Sequence, residues 1–137
     1  MKKITSFIEE QPCAIFSLSM TEARLTAKLI AEACVIDEGK LISGELSPEE
    51  QNQVNAYAQH LQDLPVWIDD TPALSLDELK TRTRQLVREH NVKAIYIDDM
   101  RFLEVQGASA FSSEETEKRI KEELESLSKE LAIPICY

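Results

Sequence analysis

The chain has 137 residues, 43% apolar and 29% charged, with a formal net charge of −10. That length gives one domain room for a real core, and the mixture is that of an ordinary globular protein. The acidic balance argues against tight direct binding to DNA, because such affinity comes largely from Lys and Arg displacing counterions at phosphates. No apolar run approaches the roughly 20 residues needed to cross a bilayer. The segment Met1–Glu10 lacks the apolar stretch and small-residue cleavage site of a secretory signal, so a cytoplasmic location without membrane attachment is expected.

After a charged helical start, the run Pro12-Cys13-Ala14-Ile15-Phe16-Ser17-Leu18 is short, apolar and rich in β-branched and aromatic residues, which predicts a buried strand. From Thr21 to about Val35, Leu25, Leu29 and Ala33 recur every four residues, with Ala27, Ile30, Ala31 and Cys34 widening the stripe into a broadly buried helix. Gly39 and Gly44 then bound an expected loop. Ser47-Pro48-Glu49-Glu50 combines an N-cap serine, a proline at the first helical position and a capping-box glutamate, followed by Val54, Tyr57, Ala58 and Leu61 on one face. Val66-Trp67-Ile68-Asp69 is a second strand, stopped by Asp70-Thr71-Pro72, and Ser75 opens a helix that carries Leu79, Leu86 and Val87 inward and ends near His90-Asn91.

A third strand spans Val92 to Asp98. Between Arg101 and Ser112 the pattern loses periodicity around Gln106-Gly107-Ala108-Ser109, and a mobile loop is expected over about 103–111. Ser112 caps a last helix bearing Ile120, Leu124, Leu127 and Leu131, and Ile133-Pro134-Ile135-Cys136 is a fourth short strand. Strands alternating with helices of a dozen residues or more imply right-handed βαβ units and an α/β fold built on a parallel sheet covered on both faces. No repeat or low-complexity tract marks a second domain, so residues 1–137 are expected to form one.

In an open parallel sheet, ligands sit beyond the carboxyl ends of the strands, which here carry Ser17 and Ser19, Asp69 and Asp70, and Asp98 and Asp99. Asp98, after Ala94-Ile95-Tyr96-Ile97, has the form of a Walker B carboxylate that holds nucleotide-bound Mg²⁺; acidic residues at this position also cap turns. Its partner, Gly-x-x-x-x-Gly-Lys-Ser/Thr, is missing from these 137 residues: the Gly39-Lys40 pair precedes Leu41, and Cys34 stands where the first glycine belongs. Clustered carboxylates also allow a small Mg²⁺-dependent hydrolase using Asp69, Asp70, Asp98 and Asp99, or simple turn formation. Cys13, Cys34 and Cys136 lie among apolar neighbours and read as buried reduced thiols. His60 and His90, on separate helices, lack metal-ligand spacing and suit solvent-facing or helix-end roles. Trp67 and Tyr96, inside apolar strands, read as core. The charge run from Glu114 to Lys121 reads as a solvated helix face.

Taken in order, Ala14-Ile15-Phe16-Ser17-Leu18-Ser19-Met20, Gly44-Glu45-Leu46-Ser47, Ile68-Asp69-Asp70-Thr71-Pro72-Ala73-Leu74-Ser75, Leu79-Lys80-Thr81-Arg82, Ile95-Tyr96-Ile97-Asp98 and Leu127-Ser128-Lys129-Glu130-Leu131-Ala132-Ile133-Pro134 form a recognisable series. From Cys13 to Ile135 it resembles the C-terminal motor domain of the DnaB-type bacterial replicative DNA helicases. The resemblance implies a RecA-like, P-loop NTPase-like three-layer sandwich. It also implies a family that uses ATP and Mg²⁺ at the interfaces of a ring hexamer to move along single-stranded DNA. The departures are specific. In the family a strand and phosphate loop precede the Phe-Ser-Leu-Glu-Met segment, where about a dozen residues stand here. Ser19 occupies the position of the glutamate that activates water, so no intact catalytic set is expected. The family's Asp-Tyr-Leu-Gln becomes Asp98-Asp99-Met100-Arg101, which leaves Asp98 and Arg101 as vestigial nucleotide-contacting positions and Asp98 as a possible metal ligand. The chain also stops before the family's arginine finger and DNA-binding loops. These losses predict a domain inactive alone, with no cofactor of its own. A strand order of 133–136, 92–98, 13–18, 66–69 is expected, with the apolar Ile133 to Cys136 strand on an edge. Such an edge invites self-association or docking to an intact ring helicase. The alternative is an ATP-binding component whose phosphate loop comes from a partner in trans.

Overall fold

The computed structural model describes residues 4–107 and 110–137. In chain order they form α1 (Ile4–Glu10), β1 (Cys13–Ser17), α2 (Glu22–Cys34), α3 (Glu38–Ser43), α4 (Pro48–Asp63), β2 (Val66–Asp69), α5 (Leu76–His90) and β3 (Ala94–Asp98). A 3-10 turn (Met100–Phe102), α6 (Ser113–Leu131) and β4 (Ile135–Cys136) follow. The strands pair in parallel in the order β2-β1-β3-β4, as expected. Every residue of the central strand β1 is buried, whereas all four residues of β2, at one edge, are half-buried. This difference follows from position, because a strand paired on both sides and covered on both faces has no solvent boundary.

Alternation along the strands sorts the core into two layers. Ala14 and Phe16 of β1 and Ile95 and Ile97 of β3 face Leu79 of α5 and Ile120, Leu124 and Leu127 of α6. Cys13 and Ile15 of β1 and Ala94 of β3 face Ile8 of α1 and Leu25 and Leu29 of α2. A smaller cluster of Ile30, Ile36 and Val54 mounts α4 on the outside of α2. Fully burying a side chain such as Phe16 or Leu124 contributes about 1.5–3 kcal/mol, so these layers dominate the stability.

The helix starts follow their caps. Thr21, Ser47, Ser75 and Ser112 each accept a backbone N–H from the third residue on, and Ser47 with Glu50 completes the capping box. The expected loop between Gly39 and Gly44 is instead the six-residue α3. Asp37 caps it, Lys40 pairs with Glu50 at 3.2 Å, and Gly44 closes it at φ 79°. In this glycine-poor chain the left-handed C-caps of α2, α5 and α6 fall on Val35, Asn91 and Ala132, at φ 54–56°. Valine is the least suited of the three, and Val35 is also 91% exposed.

The segment expected to be mobile is anchored at its start. Leu103 is buried, the Glu104 N–H donates to the Leu74 carbonyl at 3.0 Å, and the Glu104 carbonyl accepts from the Leu76 N–H at 2.8 Å. Ala108 and Ser109 lie outside the described residues. Of the three free cysteines only Cys13 is buried, and burial raises its thiol pKa to about 11; Cys34 and Cys136 are half-buried. Trp67, on the edge strand β2, and Tyr96, on β3, are likewise half-buried rather than enclosed.

Candidate functional site

Since all strands run in one direction, the residues at their C-terminal ends meet along one rim of the sheet. Ser17 and Asp98 are register partners on β1 and β3. The Asp98 carbonyl accepts from the Leu18 N–H at 2.7 Å and from the Ser19 N–H at 3.2 Å, which places Ser19 directly beside Asp98. The hydroxyl of Ser17 is buried and donates to the Met20 carbonyl at 2.7 Å, so it shapes the turn after β1. Ser19 is exposed. The Oδ2 atom of Asp98 is buried and has no hydrogen-bond donor among the described residues. An acceptor in that condition costs free energy on the order of 1–3 kcal/mol, more for a charged group, and so invites a donor or cation from outside the chain.

Asp99 and Arg101 do not join Asp98 in a common site. The peptide bond between Asp98 and Asp99 is cis. Asp99 caps the 3-10 turn and takes a fork from Arg101, with Nε at 3.2 and 3.1 Å from the two carboxylate oxygens and Nη2 at 2.6 Å from Oδ2. The Arg101 guanidinium beside it holds the Asp99 carboxyl below its ordinary range, and Asp99 raises Arg101 in turn. With its side chain 70% exposed, Arg101 is a surface partner of Asp99.

The end of β2 is a second cluster, and its wiring was not visible in the spacing. Asp69 accepts through Oδ1 from the Thr71 N–H at 3.0 Å and the Thr71 hydroxyl at 2.6 Å, and through Oδ2 from Arg82 Nη1 at 2.6 Å. Burial pushes the Asp69 carboxyl up, but the Thr71 and Arg82 bonds outweigh it and the group lies below its ordinary pKa. Asp70 reaches across to the Glu22 N–H at 2.8 Å and so covers the N-terminus of α2. Arg82 carries the one signal that could have pointed here, a cation four residues after Glu78 on α5, and it pairs with Glu78 at 3.5 Å. Close by, the Trp67 ring stacks on His90 with centroids 5.0 Å apart. His60 pairs with Glu9 at 2.7 Å on the outer surface.

These positions test whether the chain holds a metal-nucleotide site. Mg²⁺ bound to a nucleotide takes one or two carboxylates and otherwise phosphate oxygens and water. Asp98 supplies one free acceptor, while Asp69, Asp70 and Asp99 are each engaged in the fold. Among the described residues no group of three or more His, Cys, Asp or Glu could hold a metal ion. Among the described residues Asp98 is thus the one of the four aspartates with a buried, unmet acceptor, and no three of the four gather as a hydrolase centre would require.

The family model described as the DnaB-like helicase C-terminal domain matches residues 1–137. The replicative DNA helicase DnaB of Rickettsia felis is 35% identical over 136 residues, which cover 98% of this chain and 27% of that protein. The DnaB of Geobacillus stearothermophilus is 27% identical over 122 residues, again 27% of its length. The chain thus spans about a quarter of the length of these relatives. Among solved structures, an ATPase domain superposes with a TM-score of 0.81 at 20% identity, covering 93% of this chain and 46% of that one. A DnaB-like replicative helicase, solved with attention to its interactions with primase, gives the same TM-score and identity over 31% of its length. The RecA-like fold is common to all of them, and the chain belongs to the family of DnaB-like helicase C-terminal domains.

Proposed function

We propose that these 137 residues form one RecA-like domain of the DnaB replication family that does not hydrolyse ATP alone and acts through association with other protein chains. The observation that carries this reading is internal to the fold. At the position where the family has its water-activating glutamate, Ser19 is exposed and hydrogen-bonded through its backbone to Asp98. A serine hydroxyl cannot serve as the carboxylate base, and loss of one positioned catalytic group typically costs about 10²- to 10³-fold. Within these 137 residues no Gly-x-x-x-x-Gly-Lys-Ser/Thr run accompanies Asp98 and Arg101, and in this reading the two are vestigial nucleotide positions. The net charge of −10 opposes direct contact with DNA and is compatible with a cytoplasmic place in the replication machinery.

The association surface in this reading is the strand from Ile133 to Cys136. β4 pairs with β3 on one side, and among the described residues no strand pairs on the other. Its residues are uncharged, as expected of an edge that pairs with a second copy or with an intact ring helicase. Light scattering at micromolar concentration tests the homodimer, and a clean monomer that also ignores an intact DnaB-type helicase overturns the association reading. A phosphate-release assay with Mg-ATP is expected to show no turnover by the chain alone.

The buried, donorless Oδ2 of Asp98 favours a second reading. Here the chain is an ATP-binding helicase component completed in trans, a partner supplying the phosphate loop and Asp98 supplying the carboxylate. Calorimetric titration with Mg-ATP, alone and with an intact homologue, separates the two. Heat that appears only in the mixture and disappears with Asp98→Asn selects the second reading.

A further inference from the structure

The other edge of the sheet carries a separate feature. Strand β2 pairs with β1, and no strand pairs on its outer side among the described residues. The Cys13 N–H donates to the Pro65 carbonyl at 3.1 Å. Alternation in a parallel ladder then turns the main-chain groups of Trp67 and Asp69 toward β1 and those of Val66 and Ile68 outward. The Val66 N–H closes a turn on the Leu64 carbonyl at 2.9 Å, which leaves the Val66 carbonyl and both groups of Ile68 facing outward.

This open edge is flanked by a cavity on each face. On the α5 face a cavity of about 360 Å³ is lined by Trp67, Asp69, Asp70, Arg82, Glu89 and His90, with the Trp67–His90 stack as a flat wall. Its carboxylates outnumber its cations, and the Arg82 guanidinium is already bonded to Asp69 at 2.6 Å. Exposed Glu89 has the Gln85 amide at 3.3 Å as its partner and pairs with no cation among the described residues. On the opposite face a cavity of about 350 Å³ is lined by Leu29, Leu61, Leu64, Val66 and Ile68, with Ile8 at its floor.

We propose that the open edge of β2 receives an extended segment of another protein in which basic and aliphatic residues alternate. Such a segment pairs its main chain with Ile68. Alternate side chains then fall on opposite faces of the extended sheet, so a Lys or Arg lies against Trp67 and Glu89 while an aliphatic residue fills the cavity under Leu61 and Leu64. Charge identifies a heterologous basic partner over a second copy, because a copy carries the same −10.

The test uses the full chain and a fluorescein-labelled Lys-Leu-Lys-Leu-Lys-Leu peptide, with Glu-Leu-Glu-Leu-Glu-Leu and a backbone N-methylated version as controls. Anisotropy is expected to show salt-sensitive binding of the basic peptide, at least about tenfold weaker for both controls and for Glu89→Lys. Amide exchange is expected to show new protection at Ile68 and none at Ile135. Equal binding of the acidic or N-methylated peptide, protection at Ile135 in place of Ile68, or an unchanged affinity in the folded Glu89→Lys variant each overturns the proposal. So does sedimentation evidence that the chain dimerises through β2, since a second copy then occupies the edge.

Discussion

At the end of β2, Asp69 and Asp70 have every carboxylate bond directed into the fold, to Thr71 and Arg82 and to the N-terminus of α2. At the end of β3, two strands away, Asp98 leaves its buried Oδ2 without a donor among the described residues. Both ends occupy the same rim and carry the same Asp-Asp pair, so position and residue type do not separate them. What separates them is the neighbourhood. α5 brings Arg82 over the β2 end, whereas Arg101 follows β3 so closely that it folds back onto Asp99. A carboxylate fully paired within its own chain serves stability, and one left unpaired when buried is a liability unless something outside the chain meets it.

The largest expected effect breaks the paired end. Asp69→Ala removes three hydrogen bonds and leaves the half-buried Arg82 guanidinium with the Thr71 hydroxyl, at 2.8 Å, and the more exposed Glu78; a loss of about 1–2 kcal/mol follows, given partial solvent screening. Urea denaturation measures it, and an unchanged midpoint would remove Asp69 from the structural class. Asp70→Ala comes next. It takes a carboxylate from the N-terminus of α2, while Thr21 still caps that helix, so about 0.5–1 kcal/mol is expected. A smaller effect appears with pH. The Asp69 pKa is depressed in the fold, so its contribution is complete above the ordinary aspartate value of about 3.9 and is lost as pH falls through the lower folded value. Stability measured from pH 6 to pH 3 should therefore fall less steeply in Asp69→Asn than in the parent chain, and a parallel decline contradicts the pairing.

The contrast also shows what could be read in advance. Strand order, helix starts and both core layers were legible because they depend on local periodicity and caps: Leu25 and Leu29, or Ile120 and Leu124, mark a buried face wherever the helix lies. The α3 helix was not, since Gly39 lies inside it and its stabilising contacts, Asp37 as cap and Lys40 with Glu50, come from residues with no helical period. At the site, the rim position of Asp69, Asp70, Asp98 and Asp99 followed from the parallel sheet alone. Their division into paired and unpaired groups did not, because Arg82 is thirteen residues from Asp69 and Glu22 forty-eight from Asp70, distances that only the fold closes. The Trp67–His90 stack and the cavity beside it escaped for the same reason.

The smallest predicted loss sharpens the comparison most. Asp98→Asn keeps the shape of the side chain and discards a charge whose Oδ2 has no donor, so no hydrogen bond at that atom is lost. The carbonyl that accepts from Leu18 and Ser19 belongs to the backbone and is unaffected. The variant should therefore lose no stability and gain up to about 1–3 kcal/mol from relief of the unmet acceptor, in contrast to the loss at Asp69, and it is measured by the same denaturation. If Asp98→Asn instead costs as much as Asp69→Ala, the two ends are alike and Asp98 serves the fold. If it costs nothing, the free acceptor remains for a group from outside the chain, and the same variant is the control for the titration with Mg-ATP and an intact homologue.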